Sequence, residues 1–240
     1  MTLYIVPTPL GNLSDITLRA IDALKQADLI ACEDTRRTLK LLNHLGFSKP
    51  LWSYHAHSNI KKLDQILHIL EGGKSVALVS DAGTPGLSDP GTPLVQAAIR
   101  ANIPVVSLPG PCAAITGLVA SGLPTDRLFF IGFLPRRAAR AKRVLKAAAM
   151  TDATVAIYES PYRTAETLQW IAEVIGPDTP VVIGRELTKI HEEYIRGTAM
   201  EIAARLVEKP PLGEIVIYFK GVVGADGGRP AMTGDQSHEI

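Results

Sequence analysis

Short apolar segments alternate with longer amphipathic segments along the first half of the chain. The apolar segments are typical of buried strands and lie at residues 3–6, 29–32, 51–53, 75–80 and 104–108. Apolar residues recur at helical spacing in the segments between them, at residues 15–27, 36–45, 59–71, 91–101 and 111–121. This alternation predicts a mainly parallel sheet with crossover helices.

The pattern changes after residues 121–127, SGLPTDR, which are typical of a linker. Beyond them, strands are predicted at residues 128–133, 154–158, 181–185, 193–197 and 214–219. Helices are predicted at about residues 136–149, 162–175 and 198–208. We therefore predict an α/β fold with two α/β domains, residues 1–122 and 127–221. The polar, Gly-rich residues 222–240 predict a disordered tail.

Three loops rich in Gly and Pro each follow a predicted strand of the first domain. They are PTPLGN (7–12), SDAGTPGLSDPG (80–91) and PGPCAA (109–114). The carboxyl ends of parallel strands meet at one edge of a sheet, where ligands bind in open α/β folds. A tight turn is a sufficient explanation for one such loop, but three at one edge favour a binding site. Because neither GxGxxG nor GxxxxGK[ST] occurs, a usual dinucleotide or nucleoside-triphosphate site is not supported.

Composition excludes several classes of protein. The 240 residues are 46% hydrophobic and 20% charged, which is typical of a soluble globular protein. No apolar run is long enough for a membrane span, and MTLYIVP enters a strand without a basic leader, so we expect a cytoplasmic protein. Cys32 and Cys112 are far apart and lack metal-ligand spacing, so we expect neither a disulfide scaffold nor a zinc site.

Positive charge is concentrated locally although the net charge is only +1. Residues 136–146, RRAARAKRVLK, carry six cations and no anion. On the predicted helix, Arg136, Arg140 and Arg143 fall within about 60° of one another. The opposite, buried stripe is predicted to contain Ala138, Ala141, Leu145 and Ala149. Cations in a first turn oppose the helix dipole, and bound phosphate would relieve that repulsion, so RNA contact is favoured over a merely solvated face.

Six segments together resemble a known family. They are LYIVPTPLGNLSDITLRA, ACEDTRRT, ALVSDAGTPGLSDPG, PGPCAAITGL, YESPYR and RELTKIHEE, in order from about residue 3 to 221. They resemble the ribosomal RNA 2′-O-ribose methyltransferase branch of the tetrapyrrole-methylase-like (class III) S-adenosylmethionine-dependent methyltransferases. The resemblance implies two α/β domains of the tetrapyrrole methylase type, with S-adenosyl-L-methionine in the interdomain cleft. It also implies a homodimer.

The resemblance implies a cofactor site and a substrate, and methyl transfer from this cofactor needs no metal because the cofactor already carries the reactive group. The cofactor-binding residues would be Pro9, Leu10, Asp81, Gly83, Thr84, Pro85, Leu87, Cys112, Ala113, Tyr158, Leu212 and Gly213. The substrate would be a cytidine in the decoding region of 16S rRNA, either free or within the 30S subunit. His55 and His57 are two residues apart and have no further ligands in sequence, so a polar loop is favoured over a metal pair.

Polar residues after three predicted strands are candidates for the chemistry of methyl transfer. A carboxylate or a lysine with lowered pKa could take the hydroxyl proton, and arginines could hold phosphates. The catalytic candidates are Glu33, Arg36, Glu159, Glu186 and Lys189. The RNA-binding candidates are Arg36, Arg37, Arg136, Arg137, Arg140 and Arg143. Structural ion pairs near the domain interface are the alternative for each acid–base group.

Two other functions stay open. A small-molecule methylase acting on a tetrapyrrole would share the fold, but the basic segments and RELTKIHEE favour RNA. A non-catalytic ribosome-assembly factor would bind RNA alone, but the intact cofactor loops argue against it.

Overall fold

A computed structural model of the chain describes residues 1–55, 60–208 and 210–222. Within these residues, strands form two five-stranded sheets. The first sheet contains β1 (Leu3–Ile5), β2 (Leu29–Cys32), β3 (Leu51–Ser53), β4 (Val76–Val79) and β5 (Val105–Ser107). The second contains β6 (Leu128–Phe133), β7 (Thr154–Glu159), β8 (Pro180–Arg185), β9 (Glu193–Thr198) and β10 (Ile215–Lys220).

The first sheet has the strand order β3-β2-β4-β1-β5, and all of its neighbouring strands are parallel. Every residue of β2 and β4 is buried, as is typical of parallel strands covered on both faces. The helices of this half are α1 (Leu18–Gln26), α2 (Thr35–His44), α3 (Ile60–Glu71), α4 (Thr92–Arg100) and α5 (Ala113–Val119). The predicted alternation of strands and helices is confirmed.

A capping side chain sets the start of α1, which the periodicity alone misplaced. The predicted helix at 15–27 begins at Leu18, because the Thr17 side chain accepts a hydrogen bond from the backbone N–H of Ala20 over 3.1 Å. Residues Leu13–Asp15 form a separate short 3-10 helix. This turn carries the chain from the loop after β1 into α1.

The second sheet is mixed, with the strand order β6-β7-β10-β8-β9. Only β6 and β7 pair in parallel; the other neighbours are antiparallel. The helices α6 (Ala138–Ala149), α7 (Thr164–Val174) and α8 (Ala199–Glu208) contribute buried side chains to one apolar cluster with its strands. Val222, which the sequence assigned to the tail, still donates a backbone hydrogen bond to Ala149 over 2.7 Å. The other tail residues lie outside the described ranges, and the division into two domains stays a prediction.

Helix α5 joins the two sheets. It follows a strand of the first sheet, yet Leu118 packs with Val216 and Tyr218 of the second sheet. The Tyr218 hydroxyl lies 3.0 Å from the carbonyl oxygen of Ala113, to which it donates. A Cβ on Gly117 would collide with that hydroxyl, so the close approach of α5 requires glycine. This packing holds α5 of the first half against the second sheet.

Candidate active site

The three Gly- and Pro-rich loops lie side by side, because β4, β1 and β5 are adjacent parallel strands. Thr8 and Gly83 exchange two backbone hydrogen bonds of 2.9 Å, which join the loop after β1 to the loop after β4. The Thr84 hydroxyl donates to the carbonyl oxygen of Pro111 over 2.9 Å, which joins the loop after β4 to the loop after β5. The loops therefore form one continuous wall at the carboxyl edge of the first sheet.

Gly83 has a backbone conformation and surroundings that suit glycine. Its φ of 81° lies in the left-handed region that side-chain-bearing residues avoid. A Cβ at this position would lie 3.2 Å from the Leu10 side chain and 3.6 Å from the carbonyl oxygen of Pro111. Glycine therefore allows the backbone itself to face the cleft.

The cleft between the loops and the second sheet encloses a cavity of about 390 Å³. Small-molecule sites commonly measure about 300–1,000 Å³. The lining residues from the first half are Leu10, Arg37, Asp81, Ala82, Gly83, Thr84, Leu87, Ser88, Asp89, Cys112 and Ala113. The lining residues from the second half are Phe133, Tyr158, Glu159, Ser160, Pro161, Leu187, Gly213, Glu214, Ile215 and Val216. Both halves of the chain therefore build this cavity.

Tyr158 forms a fixed part of the second wall. Its hydroxyl oxygen accepts a hydrogen bond of 3.2 Å from the backbone N–H of Ala114, at the start of α5. Phe130 and Phe133 pack against its ring edge to face, with centroids 4.8 and 5.8 Å away. Burial, with the Cys112 thiol as the next contributor, raises the pKa of Tyr158, so the phenol stays neutral at physiological pH.

Asp89 is the carboxyl group in the cavity wall with the most perturbed proton affinity. Burial, reinforced by the Glu33 carboxylate, raises the pKa of Asp89 to about 6, while a hydrogen bond from Ser80 acts in the opposite direction. Burial and the nearby Asp81 also raise the pKa of Glu33, which lies beside the cavity and does not line it. A carboxyl group that titrates near neutral pH in a cleft is suited to accepting a proton.

Asp81 has a different position from Asp89, although both belong to the loop after β4. Its Oδ1 accepts a hydrogen bond of 2.9 Å from the backbone N–H of Asp34, and its Oδ2 lies 3.5 Å from Nε of Arg37. These contacts tie the loop to the start of α2. Asp81 therefore braces the wall that it lines.

Most of the predicted cofactor residues come together in this cavity. Those that line it are Leu10, Asp81, Gly83, Thr84, Leu87, Cys112, Ala113, Tyr158 and Gly213. Pro9 and Pro85 are buried behind the lining, within the same loops. Leu212 is 72% exposed and lies outside the lining. The assignment of these residues to a cofactor stays a prediction.

The predicted catalytic candidates do not form one cluster. Glu159 lines the cavity, but its Oε1 accepts from the backbone N–H of Ser160 and its Oε2 from the hydroxyl of Thr167, at 2.7 and 2.8 Å. Arg36 lies outside the lining and makes two hydrogen bonds to Asp34, of 3.1 and 2.8 Å. Both side chains are thus engaged in structural contacts.

Glu186 and Lys189 belong to an ion-pair network at the rim. Nζ of Lys189 lies 2.8 Å from Glu186 Oε1 and 3.1 Å from Glu214 Oε2. Burial acts to lower the pKa of Lys189, but hydrogen bonds to both carboxylates outweigh it and raise that pKa. The expectation of a lysine with lowered pKa is therefore wrong for Lys189. Its stem also packs against Gly11, so the network ties the second half to the loop after β1.

The predicted basic helix starts later than its sequence suggested. It begins at Ala138, so Arg136 precedes it and Arg137 is its N-cap residue. The prediction that Arg136 shares a helical face with Arg140 and Arg143 is wrong for this reason. Ala138 is exposed, whereas the rest of the predicted apolar stripe is buried, at Ala141, Leu145 and Ala149.

The predicted site residues omit several that line the cavity, chiefly Phe133, Ser160 and Val216. Asp89 lies within the Gly- and Pro-rich loop 80–91, which the sequence predicted as part of the binding site without deciding between Asp81, Ser88 and Asp89. All three residues line the cavity. Phe133 is brought to the cavity by an irregularity in β6 that hydropathy does not encode.

No metal cluster is found in the part of the chain that the structure describes. Groups of three or more His, Cys, Asp or Glu side chains placed to hold an ion are absent there. His55 lies within the described residues and His57 lies outside them. None of the helices in the described ranges has the length and apolar character needed to span a bilayer.

Comparison with known proteins identifies the family. The model of the family Tetrapyrrole (Corrin/Porphyrin) Methylases matches residues 2–203, so this chain belongs to that family. Relatives named ribosomal RNA small subunit methyltransferase I include one from Synechocystis, 43% identical, with 96% of this chain and 82% of the relative covered. Another, from Hydrogenobaculum, is 48% identical, with 91% of this chain and 95% of the relative covered. A third, from Thermotoga maritima, is 45% identical, with 91% of this chain and 98% of the relative covered.

Solved structures share the fold at lower sequence identity. A cobalt precorrin-4 methyltransferase aligns with a TM-score of 0.69 and 19% identity over 91% of this chain and 94% of its own. The Thermus thermophilus uroporphyrin-III C-methyltransferase, solved with S-adenosyl homocysteine, aligns with a TM-score of 0.65 and 19% identity. The alignment covers 91% of this chain and 97% of that structure. The predicted fold class is confirmed. The family's methyl donor is S-adenosylmethionine, as the motifs implied.

Proposed function

We propose that this chain is an S-adenosylmethionine-dependent methyltransferase that modifies the ribose 2′-hydroxyl of a cytidine in 16S ribosomal RNA. The observation that carries the proposal is the cavity of about 390 Å³, which both halves of the chain line. The names of relatives that are 43 and 48% identical support a small-subunit rRNA substrate. The motif resemblance adds the cytidine 2′-hydroxyl and a homodimer. We place this activity in the cytoplasm with the 30S subunit or its RNA.

The lining of the cleft suits this cofactor. Gly83 leaves backbone groups open to the cavity, while Leu10, Leu87 and Ala113 supply apolar surface for a nucleoside. Asp89 supplies a carboxylate in a cavity that would receive a positively charged sulfonium. When bound, S-adenosylmethionine supplies a methyl group that is already activated on sulfur.

The protein must then orient the acceptor hydroxyl and help it to lose its proton. Asp89 is our candidate for the proton acceptor. With its pKa raised to about 6, its carboxylate is mostly ionised at neutral pH and can still hold a proton. Glu159 is less suited to this role because both of its oxygens already accept hydrogen bonds within the protein. Glu159 instead positions the segment after β7.

The proposal is tested by supplying purified protein with labelled S-adenosylmethionine and 30S subunits that lack the modification. We expect label in RNA, on a cytidine ribose. The likeness to tetrapyrrole methyltransferase structures favours a small-molecule methylase as the second candidate. Label in a porphyrinoid with none in the 30S subunits would support that candidate. RNA binding without binding of S-adenosylhomocysteine in calorimetry would support a non-catalytic factor.

A further inference from the structure

We propose that Phe133 and Tyr162 form a stacking surface for a base of single-stranded RNA at the mouth of the cleft. This inference rests on the proposed function and names residues that would hold its substrate. The two side chains are 59% and 85% exposed. Phe133 lines the cavity, and Tyr162 directly follows lining residues. Large aromatic side chains are usually buried, so two exposed ones beside a cavity indicate a surface that a partner covers.

A bulge in β6 places Phe133 at the mouth. The register between β6 and β7 shifts between Phe130 and Gly132. The φ angle of Gly132 is 75°. Residues three apart on a regular strand point to opposite faces, but the extra residue of the bulge puts Phe130 and Phe133 on the same side, against Tyr158. A Cβ on Gly132 would lie 2.7 Å from Oγ of Ser88, so the bulge fits closely against the loop after β4.

Hydrogen bonds hold the segment of Tyr162 beside the segment that follows Phe133. The Arg163 guanidinium donates to the carbonyl oxygens of Leu134 and Pro135 over 3.3 and 3.1 Å. The same guanidinium lies 3.5 Å from Glu159, whose side chain is fully buried. Because this ion pair anchors Arg163, the two aromatic side chains are carried on neighbouring segments that are fixed to each other.

The charge around these aromatic side chains fits RNA. Arg136 and Arg137 follow Phe133 closely, are exposed, and form no ion pair within the described residues. Arg137 is also the N-cap residue of α6, and its side chain makes no capping bond there. The positive end of the helix dipole adds to the positive charge at this point. Aromatic side chains that stack on bases, combined with arginines that contact phosphates, are the usual means of binding single-stranded RNA.

The decisive variants are Tyr162→Ala and Phe133→Ala, measured for binding of a fluorescein-labelled single-stranded RNA oligonucleotide. Loss of one stacked base is expected to weaken binding by about 5- to 100-fold. Tyr162→Phe keeps the ring and should change the affinity by less than about 2-fold. Phe129→Ala is the matched control, since Phe129 is a 42% exposed residue of the same strand outside the cavity lining.

Calorimetry with S-adenosylhomocysteine separates this inference from the function on which it rests. Parent protein and Tyr162→Ala should bind S-adenosylhomocysteine equally. If the parent binds the RNA and both alanine variants match it, the stacking surface is refuted while the proposed function stands. If the parent binds neither RNA nor S-adenosylhomocysteine, the proposed function fails first. A change in sedimentation of Tyr162→Ala without a change in RNA affinity would refute the inference and assign this surface to contact between copies of the chain.

Discussion

Replacing Asp89 with asparagine removes a carboxyl group that the fold holds in unfavourable surroundings. Burial, reinforced by the carboxylates of Glu33 and Asp81, raises the pKa of Asp89 from 3.8 to about 6. At about 1.4 kcal/mol for each pKa unit, the ionised group costs folding at most about 3 kcal/mol. Partial contact with solvent reduces this cost to about 1–2 kcal/mol.

The contribution of Asp89 to folding stability depends on pH in a defined direction. Below about pH 4 the carboxyl group is protonated in the folded and the unfolded chain alike. Between about pH 4 and pH 6 the folded chain keeps a proton that the unfolded chain has released, so stability falls as the pH rises. Relative to the parent, the free energy of unfolding of Asp89→Asn should therefore rise by about 1–2 kcal/mol as the pH increases from about 4 to about 7.

Urea unfolding at about pH 4 and at about pH 7, followed by the fluorescence of Trp52 and Trp170, measures this difference. Asp22→Asn, at an exposed position on α1, is the matched control and should not share the gain. The reasoning is refuted if Asp89→Asn differs from the parent by the same free energy at both ends of the range. A second measurement is the rate of methyl transfer, which should fall by about 100-fold or more if Asp89 accepts the proton.

Three further predictions concern the wall, the packing of α5 and the basic surface. Gly83→Val should abolish binding of S-adenosylhomocysteine in calorimetry. Gly86→Val should retain it, because Gly86 has a similar φ but a Cβ there would meet no atom within 4 Å. Equal affinities of the two variants would contradict the close backbone approach at Gly83. Tyr218→Phe should lower the free energy of unfolding by about 1–2 kcal/mol because carbonyl oxygens on α5 lose their donor, and an unchanged urea midpoint would argue against that bond. Charge reversal of Arg140 and Arg143 to Glu should weaken RNA binding and reduce its salt dependence, while cofactor binding is kept. If RNA affinity equals that of the parent at every salt concentration, the basic face of α6 does not contact RNA.

Most of the fold was readable from the sequence, because its strands carry a strong local signal. The residues of β2 and β4 are apolar at every buried position, and Gly- and Pro-rich loops follow β1, β4 and β5. Parallel pairing of adjacent strands then brings those loops together without further information. This is why the sequence predicts the loop wall, including Gly83 and Thr84.

The second wall could be predicted only in part, because long-range packing decides it. The packing of α5 onto the second sheet depends on the fit of Gly117 to Tyr218, more than one hundred residues away in the chain. The bulge at Gly132 reverses the face on which Phe133 lies, and a period-two pattern cannot show it. Asp89 and Lys189 show the same limit for charge, since burial and neighbouring carboxylates, rather than residue type, set their pKa values.

The central claim is that this protein methylates a cytidine ribose of small-subunit RNA. Mass mapping of ribosomal RNA from cells that lack the protein tests it most directly, with the same cells complemented by the parent chain or by Gly83→Val. The account predicts that one 2′-O-methyl group on a 16S cytidine is absent without the protein, returns with the parent chain and stays absent with Gly83→Val. A 16S methylation map that is identical in all of these cells would contradict it.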